Sequence, residues 1–455
     1  MASISAAGLG SGLDLNSLVT QLVAAERAPA ENRLNREQTT VNAQISALGA
    51  LTSTSTNLQS ALTRLANGLA FGGRSATSNS DHFSGSATDQ AQTGSYQIRV
   101  ESLATQHRLA SAPVADASAP LGSGELSLSL GAESFVIDFS AGASLSEIRD
   151  AINDAEDNPG ISASILNGAD GARLVLGASK SGSANNIQVL ASGGDGGLSS
   201  LVYESGGVQN LSQVQPALDA EVYIDGFLVS SAGNQITDAI EGVTLNLSEA
   251  EPGVNHTLTV ANDHSAAVSA IESFVSSYNV FVATAATVTR YDPASNQAAS
   301  LVGDPAVRSL GNRLRSLVGG EIANGEGPSL LSQIGLSIKT DGSLTLDKTA
   351  LETALNENPD GVKTLFAGKT NSEGLADQLD LILESYVGTT GVFTSRSESV
   401  KSRLDQISDQ REVLDRRIAA LQSQYQARFS SLDTLISQLQ STGNYLTQQL
   451  SNLSA

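Results

Sequence analysis

Two stripes of apolar residues with helical period, one at each end of a 455-residue chain, constrain this fold more than any other feature. Near the N-terminus Ser11 and Asp14 have the spacing of a capping box, and Leu15, Leu18, Val19, Leu22 and Val23 follow on one helical face. Pro29 is expected to end or kink that helix, because it lacks the N–H that the helical ladder needs. A second helix is expected over residues 30–70. In it Leu34, Val41, Leu48, Leu62 and Leu69 fall at multiples of seven, with Leu51, Leu58 and Leu65 between them. That is a heptad seam, and it needs another helix.

The mirror image lies at the other end. Leu404, Ile407, Leu414, Ile418, Leu421, Tyr425, Leu432, Leu435 and Leu439 alternate by threes and fours. Gly443-Asn444 is expected to break the helix, after which Leu446, Leu450 and Leu453 resume the stripe. Arg411 interrupts the seam, and Phe429 covers a slip beside Arg428. A helix over residues 396–440 would run about 68 Å at 1.5 Å per residue, more than a small domain buries alone. The candidate assembly stripe is therefore Leu15, Leu18, Leu22, Leu404, Ile407, Leu414, Ile418, Leu421, Leu432, Leu435, Leu439, Leu446 and Leu450. Part of it would pair the two ends as an antiparallel coiled coil, and the rest would pack between molecules.

Between the ends the period changes to two. Tyr96 to Val100, Leu126 to Leu130, Phe135 to Phe139 and Ile161 to Ile165 alternate as strands. Ser144 and Glu147 form a capping box before Leu145, Ile148 and Ile152, so one short helix interrupts them. Asp170-Gly171 and Asp225-Gly226 are hairpin turns, and Val243 to Leu247 and Thr257 to Val260 are further strands. From Asp263 the pattern is helical again, Asp304-Pro305 opens another helix, and Asp341-Gly342 turns a last hairpin before short helices around Leu351, Leu365 and Leu379. The fold class expected is α+β multidomain, a helical stalk made by both termini with β-rich heads nested between them.

Charge divides the chain the same way. The net charge is −22, yet residues 1–70 are neutral and residues 396–455 carry +1, so the middle holds −23. Neutral ends can approach one another where the acidic centre repels its copies. Nucleic acid is excluded as a partner by the lack of clustered Lys and Arg. No run of 18 apolar residues is found, so no membrane insertion is expected. There is no Cys, which excludes disulfides and thiolate chemistry and suits an oxidising exterior. Met1 to Gly12 lack the basic and apolar regions of a cleaved signal peptide.

No reaction is legible, and neither an enzyme nor a cofactor is expected. His82, His107, His256 and His264 stand in separate polar surroundings without metal-ligand spacing, and are expected at the surface. Gly8 to Gly12 lacks the Lys of a phosphate loop and serves as a lead into the Ser11 cap. Gly193 to Gly197 is a single glycine loop, too little for a calcium repeat, and Glu156-Asp157 are adjacent and cannot face each other as a glycosidase pair.

Gly10-Ser-Gly-Leu-Asp-Leu-Asn-Ser-Leu18 with Leu22-Val-Ala-Ala-Glu26, and Leu432 to Leu439 with Tyr445 to Leu450, resemble the opening and closing segments of flagellar cap proteins, the filament-tip members of the hook-associated group. Tyr223 to Gly226, Gly242 to Leu245 with Pro252-Gly253, Asp341 to Asp347 and Asn358-Pro359 before Leu365-Phe366 are also similar to that family, and Ile148 to Asn153 resembles a module of flagellins. The resemblance implies a homo-oligomeric ring at the distal end of the filament, which retains exported flagellin and promotes its folding and insertion. It implies legs at residues 1–29 and 425–455, a stalk from 30–75 and 263–424, an inner head from 76–118 and 219–262, and an outer head over 119–218. Partners would be flagellin, the junction proteins and an export chaperone on the C-terminal helix, with the protein extracellular and exported without a cleaved signal peptide. A hook–filament junction protein and an adhesin for host mucin are the competing readings.

Overall fold

The computed structural model describes residues 14–294, 296–322, 327–369 and 372–453, the side chains of 451–453 excepted. Ser11, the glycines before it and the Leu453 side chain lie outside those residues. The helices among them are α1 (Leu15–Ala66), α2 (Leu145–Asp154), α3 (Ser265–Thr289), α4 (Pro305–Gly319), α5 (Lys348–Glu357), α6 (Pro359–Ala367), α7 (Leu375–Val387) and α8 (Val392–Leu453). The chain forms two compact units, one up to Phe71 and from Ala267 onward, the other over Gly72–Ala266.

In the first unit α1 and α8 run antiparallel. Residues Leu34 and Val41 of α1 enclose Ile407 of α8, and Val19 and Val23 enclose Ile418. Two expected breaks are absent. Pro29 sits inside α1, which is continuous for 52 residues from an N-cap at Asp14. Pro29 and Ala25 are both exposed, so water can satisfy the carbonyl that proline leaves unbonded. Gly443 does not end α8 either. A single glycine costs a helix about 1 kcal/mol against alanine, too little to stop one that continues on both sides.

The heptad seam of α1 is divided between two partners. Leu48, Leu51, Leu58, Leu62 and Leu65 are fully buried, but against Ile271, Phe274 and Phe281 of α3, Leu310 and Leu314 of α4, and Leu379 and Leu383 of α7. Phe366 of α6 meets Phe274 edge-on with ring centroids 6.2 Å apart, and Phe393 anchors the start of α8 against Tyr386 at 5.4 Å. Leu69 departs from the seam and is 76 % exposed, because α1 stops at Ala66 and Gly68 takes a positive φ of 68°. Helix α3 is long and apolar enough to cross a membrane by length and composition alone, although it contains no run of 18 apolar residues. Its Ile271, Phe274, Tyr278 and Phe281 are buried in this core, which accounts for that composition.

The second unit contains two β-rich cores. One lies between a five-stranded antiparallel sheet, in the order 74–78, 256–262, 94–102, 220–224, 227–231, and a three-stranded sheet ordered 235–240, 243–247, 83–87. The other joins a four-stranded sheet (212–215, 106–110, 171–181, 161–168) to a three-stranded one (133–144, 120–130, 187–192), with α2 packed on them. The local signals hold here. Ser144 and Glu147 exchange hydrogen bonds as a capping box, and Asp225 and Gly226 turn their hairpin with φ of 49° and 87°. Strands 74–78 and 83–87 were not legible, since Ser, Thr and Gly give them little alternation, nor was 106–110, a five-residue stretch with Leu109 as its one large apolar residue.

The histidines correct the expectation of four surface rings. His107 is fully buried, accepts the Ile187 N–H on Nδ1 at 2.8 Å and meets the Gln213 side chain with Nε2 at 3.0 Å. His82 and His256 stack with centroids 5.0 Å apart, and both ring nitrogens of His264 are buried. Burial pushes the pKa of His107 below its ordinary 6.5, and burial does the same to His264. A histidine whose folded pKa is depressed contributes full stability above 6.5 and loses it as pH falls below that value, where the unfolded chain gains a proton that the folded one refuses. The urea midpoint of the protein is therefore expected to fall between pH 7.5 and 5, and His107→Gln to flatten that dependence. A midpoint independent of pH over this range would contradict it.

Candidate assembly interface

Apolar contact supplies most of the hairpin's stability, at about 1.5–3 kcal/mol for each fully buried aliphatic side chain. Leu15 is 5 % exposed, Ile407 2 % and Ile418 7 %, while Leu404, Leu414 and Leu421 are half-buried. Leu18 and Leu22, expected on the same face as Val19 and Val23, are 39 % and 40 % exposed. Five apolar positions within nine residues span a wider arc than one partner helix covers, and α8 takes the strip of Val19 and Val23. Ile45 and Val400 line the seam as well.

Polar contacts across the hairpin fix its register. Arg411 reaches Oδ1 of Asn35 at 2.6 Å and Oε1 of Gln38 at 2.8 Å, so the residue that interrupts the apolar stripe bridges the two helices. Arg27 pairs with Asp415 at 2.8 Å and Arg403 with Glu37 at 3.5 Å. These pairs are largely exposed and worth at most about 1 kcal/mol each. Their role is alignment, the use to which a polar group in a coiled-coil seam is best suited.

Beyond the hairpin the stripe continues largely exposed. Leu432, Leu435, Leu439, Leu446 and Leu450 are 48–67 % exposed, and from Ser437 to Leu450 every residue is exposed. The helix over 432–450 presents about 28 Å of leucine-bearing surface. Tyr445, 62 % exposed, belongs to the same stretch and was not among the candidates. Among the described residues the candidate stripe thus divides into a buried seam and two open strips, Leu18–Leu22 on α1 and Leu432–Leu450 on α8. Regularly spaced, exposed large apolar side chains of this extent make these strips the candidate interaction surface.

Residues 11–107 match the family described as flagellar hook-associated protein 2 N-terminus, and residues 217–441 the one described as flagellar hook-associated protein 2 C-terminus. Residues 125–180, which include α2, match the flagellin hook IN motif. The chain is 33 % identical to the B-type flagellar hook-associated protein 2 of Pseudomonas aeruginosa over 475 aligned residues, spanning 100 % of this chain and 98 % of that one. It is also 33 % identical to the flagellar hook-associated protein 2 of Escherichia coli K12, with 99 % of both chains covered. Among solved structures, the flagellar cap protein FliD D1-D2-D3 domains from Escherichia coli align with a TM-score of 0.65 at 31 % identity, over 78 % of this chain and 99 % of that one.

Proposed function

Since this chain belongs to the flagellar hook-associated protein 2 family and is a flagellar filament cap, we propose that it acts as a self-assembled ring whose open leucine strips are its contacts. The observation that carries this reading is the run of leucines on α8 that are 48–67 % exposed. Several copies seated on the filament end would bury these strips against one another and against the filament. The acidic, β-rich residues 72–266 would then stand over the site where exported flagellin arrives, retaining it while it folds and inserts.

The legs, stalk, inner head and outer head are proposed with the boundaries given above. The division of the chain near residues 71 and 267, and the two separate cores within 72–266, support that organisation. An export chaperone that sheathes the α8 strip before secretion, and the junction proteins beneath the ring, are the further partners proposed. The matches to both ends of the chain and the full-length relatives name a hook-associated protein 2, so the junction-protein and mucin-adhesin readings have no support as the main role.

Leu435→Asp tests the contact directly. Leu435 is 52 % exposed, so the folded monomer is expected to keep its unfolding free energy in urea to within about 0.5 kcal/mol. Assembly, in contrast, is expected to weaken, because association would bury an unpaired carboxylate. Static light scattering of the purified protein should show the oligomer shifting toward monomer. An unchanged mass distribution would show that this face is not a contact.

A further inference from the structure

His82, Glu251 and His256 converge on one point in the unit of residues 72–266, and among the described residues this is where ligand atoms gather. Oε2 of Glu251 lies 2.8 Å from Nε2 of His256 and 3.5 Å from Nε2 of His82, and the three ligand atoms lie within 4.8 Å of one another. A second carboxylate, that of Glu249, stands 4.0 Å from Nε2 of His82. The geometry points to a binding site for a divalent transition-metal ion, with zinc as its natural occupant, held by the two imidazoles and Glu251 and completed by Glu249 or water.

Spacing and chemistry both favour this. Tetrahedral zinc with bonds near 2.0–2.1 Å sets its ligand atoms about 3.3 Å apart, so on binding the three groups would shift by about an ångström and the two stacked rings, 16° from parallel, would rotate to aim both Nε2 lone pairs at the ion. Two imidazole nitrogens with carboxylate oxygens suit zinc, nickel or copper, whereas calcium and magnesium prefer all-oxygen shells. Imidazoles bind a metal in their neutral form, so as ligands the two rings with the two carboxylates would sum to a charge of −2, which a divalent ion balances. Binding requires the Nε2 lone pair of each ring, so the proton resides on Nδ1. His82 already has a partner for it in Oγ of Ser80, 2.6 Å away, the kind of outer contact that orients ligand histidines.

The backbone holds the ligands in place. The carbonyl of His82 accepts the N–H groups of Ser248 and Glu249 at 2.8 and 3.1 Å, and the Glu251 N–H bonds the Val100 carbonyl at 3.0 Å. His256 opens the strand 256–262 and pairs with Ile98. Glu251 and His256 are separated by the Pro252-Gly253 turn, in which Gly253 has a φ of 80°. An ion here would tie the lead into strand 83–87, the 249–253 turn and strand 256–262 together. It would brace a cysteine-free domain without a disulfide.

The full-length protein, stripped with chelator and dialysed against zinc, is expected to retain one ion per chain by elemental analysis. Cobalt in its place should give the intense visible absorption of a four-coordinate site, and both signals should be lost in the His82→Asn/His256→Asn double variant and in Glu251→Gln. Zinc should also protect His82 and His256 of the unaltered protein from diethylpyrocarbonate, mapped by mass spectrometry, a readout that needs no variant to fold. Retention well below one ion per chain, a cobalt spectrum unchanged in the double variant, or equal modification of both histidines with and without zinc would each overturn the assignment.

Discussion

Cells whose cap lacks residues 432–455 are expected to grow no filaments and to spill flagellin into the medium, although the truncated protein itself folds. The cut falls after Tyr425 and Phe429, which pack beside Val19, Val23 and Ile418, so the hairpin seam is left intact. What is lost is the open strip of Leu432, Leu435, Leu439, Leu446 and Leu450. Covering the exposed half of each leucine is worth roughly 1 kcal/mol, and the strip is repeated in every subunit of the ring. Removing it takes away most of the apolar contact by which a subunit could hold its place. Electron microscopy of the cells and an immunoblot of the culture supernatant measure the two effects. The urea midpoint of the purified truncated protein, expected to be close to that of the full chain, separates lost assembly from lost folding. Normal filaments on the mutant would refute the role given to α8.

Ile407→Asp is expected to have the largest effect on the folded monomer. Ile407 is 2 % exposed and lies against Leu34 and Val41, which are 1 % and 0 % exposed. A carboxylate buried among these aliphatic side chains leaves a poorly filled, desolvated site, a combination that costs about 3–5 kcal/mol. The damage should stay local. Residues 48–65 of α1 are held by α3, α4 and α7 and do not depend on the seam. Hydrogen exchange should therefore show lost protection over about residues 15–45 and 400–430, with protection kept through α3, α4 and α7. Undiminished protection in the hairpin would mean that Ile407 does not hold it closed. Taken with Leu435→Asp, the two variants ask the same chemical question of one helix at two depths: the buried site should respond in stability and the open site in assembly.

Much of the local structure was legible. Caps and turns depend on neighbours within a few residues, so the Ser144–Glu147 box, the Asp304-Pro305 start of α4 and the Asp225-Gly226 hairpin follow from short stretches of sequence. Errors arose where a local rule met a larger context. Pro29 and Gly443 are breakers in isolation, yet each is one weak signal in a helix of more than 50 residues that continues on either side. The His82–Glu251–His256 cluster was invisible because its histidines are 174 residues apart, and only the packing of two sheets, one carrying strand 83–87 and the other strand 256–262, into one core brings them together.

The sequence by itself determined that both ends are long helices with apolar stripes, that they are charge-neutral beside an acidic middle, and that the middle is β-rich. These properties are carried by periodicity and composition, which need no knowledge of what lies opposite. Only the tertiary structure decided what each stripe touches. A heptad position states that a side chain must be covered, but not by which partner. In α1 that partner is α8 for Val19 to Val41 and the cluster of α3, α4 and α7 for Leu48 to Leu65. In α8 the same pattern is buried at Ile407 and Ile418 and bare from Leu432 onward. Burial depends on the geometry of two surfaces at once, and one strand of sequence specifies only its own.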